Sequence, residues 1–203
     1  MFICGLDEVG RGALAGPLVA VASMFQVPDR SFWWDDYETE NSPIAGVNDS
    51  KKLSPKKRKE TFHRILRWES LFDFGIGEVS ADEINDIGID RANSLAFDRA
   101  VRDLKEAPNY ILIDGDNPLY GWDMSYQHNE PGADGRFWPV GAASILAKVI
   151  RDDMMIEWGR DFPRYDWENN VGYGAQTHRD AIQEIGPCSL HRTQFIRKIW
   201  RNT

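Results

Sequence analysis

Three short segments carry residue types that could do chemistry. Asp7-Glu8-Val9-Gly10-Arg11-Gly12 sets two adjacent acids where the apolar run FICGL opens into a glycine turn. Desolvating a carboxylate costs several kcal/mol unless it is paired or bound to a cation, so acids in that place demand a partner. Adjacent strand residues point to opposite faces, and for Asp7 and Glu8 to share one ion the strand has to twist or end there, which Gly10 and Gly12 permit. The structural alternative is that Asp7 caps the turn while Glu8 pairs with Arg11. Asp114 closes YILIDG in the same way, although a DG dipeptide after a strand is by itself turn chemistry. The third segment is the string from Gly10 to Gly16, a possible phosphate cradle. It fails the dinucleotide pattern, which needs glycine at Ala15, and it lacks the Lys-Ser/Thr pair of the Walker pattern.

Charge narrows the class of partner. With 24 Lys+Arg against 32 Asp+Glu the net charge is −8, which taken alone argues against nucleic acid. The distribution reverses that inference: residues 51–67 carry +7 and residues 188–203 carry +4, leaving −19 on the remaining 170 residues. Basic patches therefore sit on an acidic body, although a charge run is by default only a solvated helix face. Cys4 and Cys188 fit no CxxC or Cys/His metal spacing, so zinc, redox and disulfide-scaffold readings lose their support. No run approaches the roughly 18 apolar residues of a membrane span, and MFICGLDEVG lacks a basic n-region and an apolar h-region. The expectation is a cytoplasmic, monomeric protein without a membrane partner.

The elements that must position these residues follow from periodicity. Residues 2–6 and 18–25 read as a strand hairpin, and 28–48, with Trp33 and Trp34, as a long surface loop. Ser54-Pro55 is an N-cap and N1 pair that starts a basic helix with Phe62, Ile65 and Leu66 on its inner face. A strand at 72–79 precedes a Ser80/Glu83 capping box and helical structure running toward Glu106. YILIDG is a buried strand, 141–158 a long helix, and 177–185 a last helix stopped by Gly186-Pro187. The 203 residues, without repeat or linker, are read as a single mixed α/β domain.

The segments GLDEVGRGALAGPLVAVA, DSKKLSPKKR, ILIDG, GAASILAKVIRDDM and VGYGAQTH followed by GPCSLHRTQF stand in the order of the signature segments of ribonuclease HII, the prokaryotic type 2 ribonuclease H. The resemblance runs from Phe2 to about Ile196. It implies a ribonuclease H-like mixed sheet flanked by helices, with a helical C-terminal portion, and an endonuclease that cuts RNA within RNA–DNA duplexes. It further implies two divalent ions, Mg²⁺ or Mn²⁺, held by four carboxylates: Asp7, Glu8, Asp114 and Asp134, the last standing eight residues before the AAS of GAAS. Asp152, in AKVIRDD, is read instead as the partner of a neighbouring base. Gly10, Arg11 and Gly12 resemble the element that reads the 2′-hydroxyl at an RNA-to-DNA junction, and Tyr173 the tyrosine that packs on the next deoxyribose. Lys51, Lys52 and Asn93 resemble backbone-contact positions, and the tail around Arg192, Arg197 and Lys198 is expected to add phosphate contacts. The physics agrees, because phosphodiester hydrolysis places negative charge on the attacking and leaving oxygens and two cations can meet both.

The sequence departs from the family in places. Gly132-Ala133 precede Asp134 where a basic residue is usual, Val171 stands where a lysine is common, and the segments 28–48 and 118–133 look longer than the family needs. Two alternatives are weighed against the junction nuclease: a binder that has lost turnover, and a hybrid ribonuclease without junction preference. Four intact acids oppose the first, since carboxylates facing phosphate gain a binder nothing; the Gly10–Gly12 element and Tyr173 oppose the second.

Overall fold

The computed structural model describes residues 1–27, 47, 50, 53–67 and 72–200. Lys51, Lys52, Trp33 and Trp34 lie outside the described residues. The expected hairpin is present as β1 (Phe2–Val9) and β2 (Leu18–Gln26), antiparallel in continuous register from Phe2 opposite Gln26 to Val9 opposite Val19. Ser54 caps α1 (Pro55–Leu66), its hydroxyl accepting from the Lys57 amide. β3 (Phe72–Val79) extends the sheet beside β2, and β4 (Tyr110–Asp114) pairs in parallel with β1. β5 (Gln127–Glu130), in the segment 118–133 for which the sequence predicts no element, adds a parallel edge next to β4, giving the order β3-β2-β1-β4-β5. β1 is thus the middle strand, and its acids sit at the centre of one sheet end.

The helical structure expected from 81 toward 106 is divided at Gly88 into α2 (Ala81–Ile87) and α3 (Ile89–Arg102). Gly88 has φ +81°, a conformation that glycine adopts without the penalty a side chain brings, so it ends one helix and redirects the next. The capping box at Ser80 and Glu83 is formed, and Arg99 holds the Glu83 carboxyl down at about 2. α3 covers one sheet face through Ala96, Phe97, Ala100 and Val101, packed with Leu6, Ala20 and Ala22.

α4 (Trp138–Asp161) covers the other face and begins three residues earlier than the spacing predicts, with Pro139 in its first turn. Every residue from 138 to 147 is buried, so this half of the helix has no polar stripe from which a boundary could be read. It seats on two small residues opposite one another, Gly5 and Ser23. A Cβ at Gly5 would collide with the Pro139 carbonyl and the Val140 nitrogen, and the Ser23 hydroxyl donates to the Pro139 carbonyl oxygen.

The C-terminal portion, α5 (Trp167–Asn170), α6 (Gln176–Ile185) and α7 (Thr193–Ile196), encloses a third cluster around Trp167, Tyr165, Ile182 and Ile196. Within it His178 and His191 lie 3.1 Å apart through their Nε2 atoms. Trp167 Nε1 donates to His178 Nε2, and the Cys188 amide donates to His191 Nδ1. Burial lowers both imidazoles, His191 to about 4, aided by its neighbour. A depressed imidazole contributes stability at pH above its ordinary 6.5 and loses it as pH falls toward 4. The melting-temperature gap between wild type and His191→Gln, which cannot titrate, is therefore widest at neutral pH and narrows on acidification; a constant gap would show that the pair is not titrating in this way.

Candidate active site

Asp7 and Glu8 both lie in regular strand, opposite Val21 and Ala20, with β1 ending one residue after Glu8. The two side chains therefore leave opposite faces, and Gly10 (φ +93°) turns the chain immediately beyond them. Asp7 is buried, and the Glu8 amide donates to its Oδ1 at 2.7 Å. Burial first, then the charges of Glu8, Asp114 and Asp134, push the Asp7 carboxyl well above the usual carboxylate range, while the Ser144 hydroxyl opposes the shift. Asp7 therefore feels the charge of the other three carboxylates. Asp114 closes β4, and its Oδ1 accepts from the Ala133 amide at 2.9 Å. The same short helical turn, Ala133–Gly135, carries the buried Asp134, so this hydrogen bond ties Asp114 to the turn that holds Asp134.

Asp7, Glu8 and Val9 line a cleft of about 290 Å³ with Ser50, Ser144, Lys148 and Tyr173. The serines are joined, Ser144 Oγ donating to Ser50 Oγ at 2.9 Å. Sequence reasoning missed Ser50, Ser144 and Lys148; the signal was a small hydroxyl inside GAAS and a lysine one turn further along the same helix. Lys148 pairs with Asp152 at 2.8 Å, which gives Asp152 the basic neighbour expected of it.

Tyr173 stands beside both the acids and the glycine turn, with its Oη accepting from the Gly10 amide at 3.2 Å. Its ring faces the Arg151 guanidinium at 5.3 Å and the Lys148 ammonium at 5.6 Å. Arg11 reaches across to α3 and pairs with Asp90 at 2.7 Å, so it is not the partner of Glu8. Asn93 is buried on α3, its Oδ1 without a partner. Gly12 has open space where a side chain would project.

Arg192 requires a correction. Read as part of a basic tail, it is fully buried, and its Nε and Nη1 donate to the carbonyls of Gly16, Gly10 and Arg11. A guanidinium offers donors in a planar fork; here Nε and Nη1 are met by the carbonyls of the turning chain, while the buried Nη2 finds no partner among the described residues. The basic face of α1 is also partly committed, since Arg58 donates to the carbonyls of Ser50 and Leu53 and Lys59 pairs with Asp153. In the segment 118–133, Trp122 and Tyr126 line a separate groove with Pro108, Asn109 and Ile111.

The donor set of the acidic site is entirely carboxylate oxygen. Among the described residues no three Asp, Glu, His or Cys side chains form a group arranged to hold a metal ion. Hard oxygen donors without a cage suit Mg²⁺ or Mn²⁺, which take one or two carboxylates and keep several waters. The mutual repulsion felt by Asp7 is also what such a cation would relieve.

A sheet in this order, with acids ending its middle strand and the parallel strand beside it under a long helix, defines a ribonuclease H-like nuclease fold. The ribonuclease H2 from Pyrococcus horikoshii OT3 shares it with a TM-score of 0.74 at 24% identity, over 98% of this chain and 97% of that one. Bst-RNase HIII in complex with Mn²⁺ shares it with a TM-score of 0.68 at 20% identity, over 92% and 63%. The Ribonuclease HII family model matches residues 4–203, and the ribonuclease HII of Clostridioides difficile strain 630 is 39% identical over 98% of this chain and 71% of its own length. The chain belongs to the ribonuclease HII family and is a ribonuclease H enzyme.

Proposed function

We propose that the protein hydrolyses the RNA strand of RNA–DNA hybrids and incises 5′ to single ribonucleotides embedded in duplex DNA, leaving 3′-hydroxyl and 5′-phosphate ends. The observation that carries this reading is the buried Asp7 carboxyl, coupled to Glu8, Asp114 and Asp134, opening into a cleft that also holds Tyr173. Divalent ions, when bound there, would supply a nucleophilic hydroxide and countercharge for the departing 3′-oxygen. Asp7, Glu8, Asp114 and Asp134 are the residues that would hold them, and the Mn²⁺ complex of the fold neighbour Bst-RNase HIII agrees with that chemistry.

Gly10, Arg11 and Gly12 read the 2′-hydroxyl, the one group that separates RNA from DNA at a position, and Tyr173 packs on the following deoxyribose. Lys51, Lys52 and Asn93 hold the sugar–phosphate backbone, supporting a net-acidic protein on a polyanion. The protein works in the cytoplasm as a monomer.

Incubation with a duplex containing one ribonucleotide, with Mg²⁺ or with EDTA, followed by product sizing, tests the activity. Cleavage 5′ to the ribonucleotide only with the metal is expected. Cleavage of long hybrids alone would leave a hybrid ribonuclease without junction preference. Tyr173→Ala is expected to lower kcat/KM on the single-ribonucleotide duplex about ten- to a hundredfold more than on a long hybrid, by analogy with base–aromatic stacking. Equal losses on both substrates would make this tyrosine structural.

A further inference from the structure

Two arginines from distant parts of the chain enclose the segment from Gly10 to Pro17. Arg151 projects from α4, and its Nε, Nη1 and Nη2 donate to the carbonyls of Pro17, Val171 and Ala15 at 2.9, 2.9 and 3.1 Å. Arg192 precedes α7, and its Nε and Nη1 donate to the carbonyls of Gly16, Gly10 and Arg11 at 3.0, 2.6 and 3.1 Å. The Arg192 amide takes the Leu14 carbonyl at 2.8 Å. Both side chains are fully buried, and every hydrogen bond assigned to them ends on a main-chain carbonyl. Burial without a carboxylate partner is costly for a guanidinium, and it lowers both, Arg192 to about 9.

The geometry fixed here has a direction. The carbonyls of residues 10, 11 and 14–17 turn inward to the two arginines. The amides of Ala13, Leu14, Ala15 and Gly16 are bonded to the carbonyls of Gly10, Gly172, Gly172 and Leu190. Among the described residues the amides of Arg11 and Gly12 find no acceptor. Arg151 reaches the tyrosine as well, lying over its ring and holding the carbonyl of Val171 two residues before it. A Cβ on Gly10 would collide with Arg151, so glycine and arginine fit one another there.

We infer that Arg151 and Arg192 are positioning residues for substrate choice: together they pin the carbonyls of residues 10, 11 and 14–17 inward, so that the Arg11 and Gly12 amides stand preset toward the ribose and Tyr173 is held in register with them. This rests on the junction reading of the proposed function. It gives the two arginines a role without contact to nucleic acid. Lysine at either position keeps the charge but cannot fork between carbonyls.

The test compares kcat/KM on a single-ribonucleotide duplex and a long RNA–DNA hybrid for wild type, Arg151→Lys and Arg192→Lys, each checked for folding by near-ultraviolet circular dichroism. The ratio of the two constants is expected to fall about tenfold in each folded variant, the scale of one or two lost hydrogen bonds. An unchanged ratio, or equal losses on both substrates, overturns the inference.

Amide hydrogen exchange in the wild type supplies a readout that depends neither on a variant folding nor on turnover. In EDTA, residues 13–16 are expected to exchange slowly, while Arg11 and Gly12 exchange fast and become protected when the single-ribonucleotide duplex is added. Uniformly fast exchange over residues 11–16 in the free protein would overturn the frame. A wild type that cuts neither duplex but shows the expected exchange pattern would refute the proposed cleavage while leaving the arginine frame standing.

Discussion

Asp7→Asn, Glu8→Gln, Asp114→Asn and Asp134→Asn each lose at least roughly 10²–10³-fold in cleavage rate while still folding and binding duplex, because each removes charge from the site without changing side-chain volume. Single-turnover cleavage beside a filter-binding titration measures both halves. Asp152→Asn keeps its activity, since that carboxylate is committed to Lys148. An inactive Asp152→Asn with an active Asp134→Asn would mean that the fourth acid is misassigned. Asp7→Asn carries a second signature. Its carboxyl is raised in the folded protein, so as pH rises the unfolded chain ionises first and folding stability falls, reaching its full deficit once the folded carboxyl is also ionised. The amide removes that deficit. In EDTA at neutral pH the variant should therefore melt above wild type, by about 2–4 °C for each kcal/mol released. Lower activity with higher stability separates a functional acid from a structural one.

Gly5→Ala should destabilise the protein by more than about 4 kcal/mol, lowering the melting temperature by roughly 10 °C or more. The added Cβ meets main-chain atoms of Pro139 and Val140, which cannot rotate away as a side chain would. Relief requires α4 to lift from β1, breaking the Ser23 hydrogen bond and drawing Ser144 away from the Asp7 cleft. Thermal melts monitored by circular dichroism check the effect. Gly12→Ala is the matched control: with no atom within 4 Å of the new Cβ, its stability stays within about 0.5 kcal/mol of wild type. A Gly5→Ala protein as stable as wild type would mean that the β1–α4 contact adjusts without cost.

Where local chemistry decides structure, the sequence was readable. Ser54-Pro55, the Ser80/Glu83 box and Gly186-Pro187 each end or start a helix through their own hydrogen bonds and backbone angles, and each does so at the expected place. The β1–β2 pairing follows from two apolar runs around a glycine turn. β5 was not readable because QHNE has neither alternation nor β-branched residues; its pairing comes from lying beside β4. The first turn of α4 was missed because helix periodicity vanishes when every side is buried. In the site, acids at strand ends announce themselves because burial of charge is improbable without cause. Arg192 did not, since a lone arginine has the same appearance in sequence whether its donors meet phosphate or carbonyl oxygen. Ser50 was silent for a related reason, as a hydroxyl joins a site only through what folding brings near it.

The central place of β1 also has a consequence in time. Its antiparallel neighbour follows within the next twenty residues, but its parallel neighbour pairs Ile3 with Tyr110, and α4, which covers the Asp7 face, begins only at Trp138. At a synthesis rate of about 5–20 residues per second, roughly 5–20 s separate the emergence of β1 from that of β4. During that interval a three-stranded meander of β1, β2 and β3 can assemble, yet one side of β1 remains an unpaired apolar edge of the kind that recruits foreign strands. The acids at the end of that edge, Asp7 and Glu8, put charge on it before β4 and α4 exist, and charge on an open edge discourages strand addition between nascent chains.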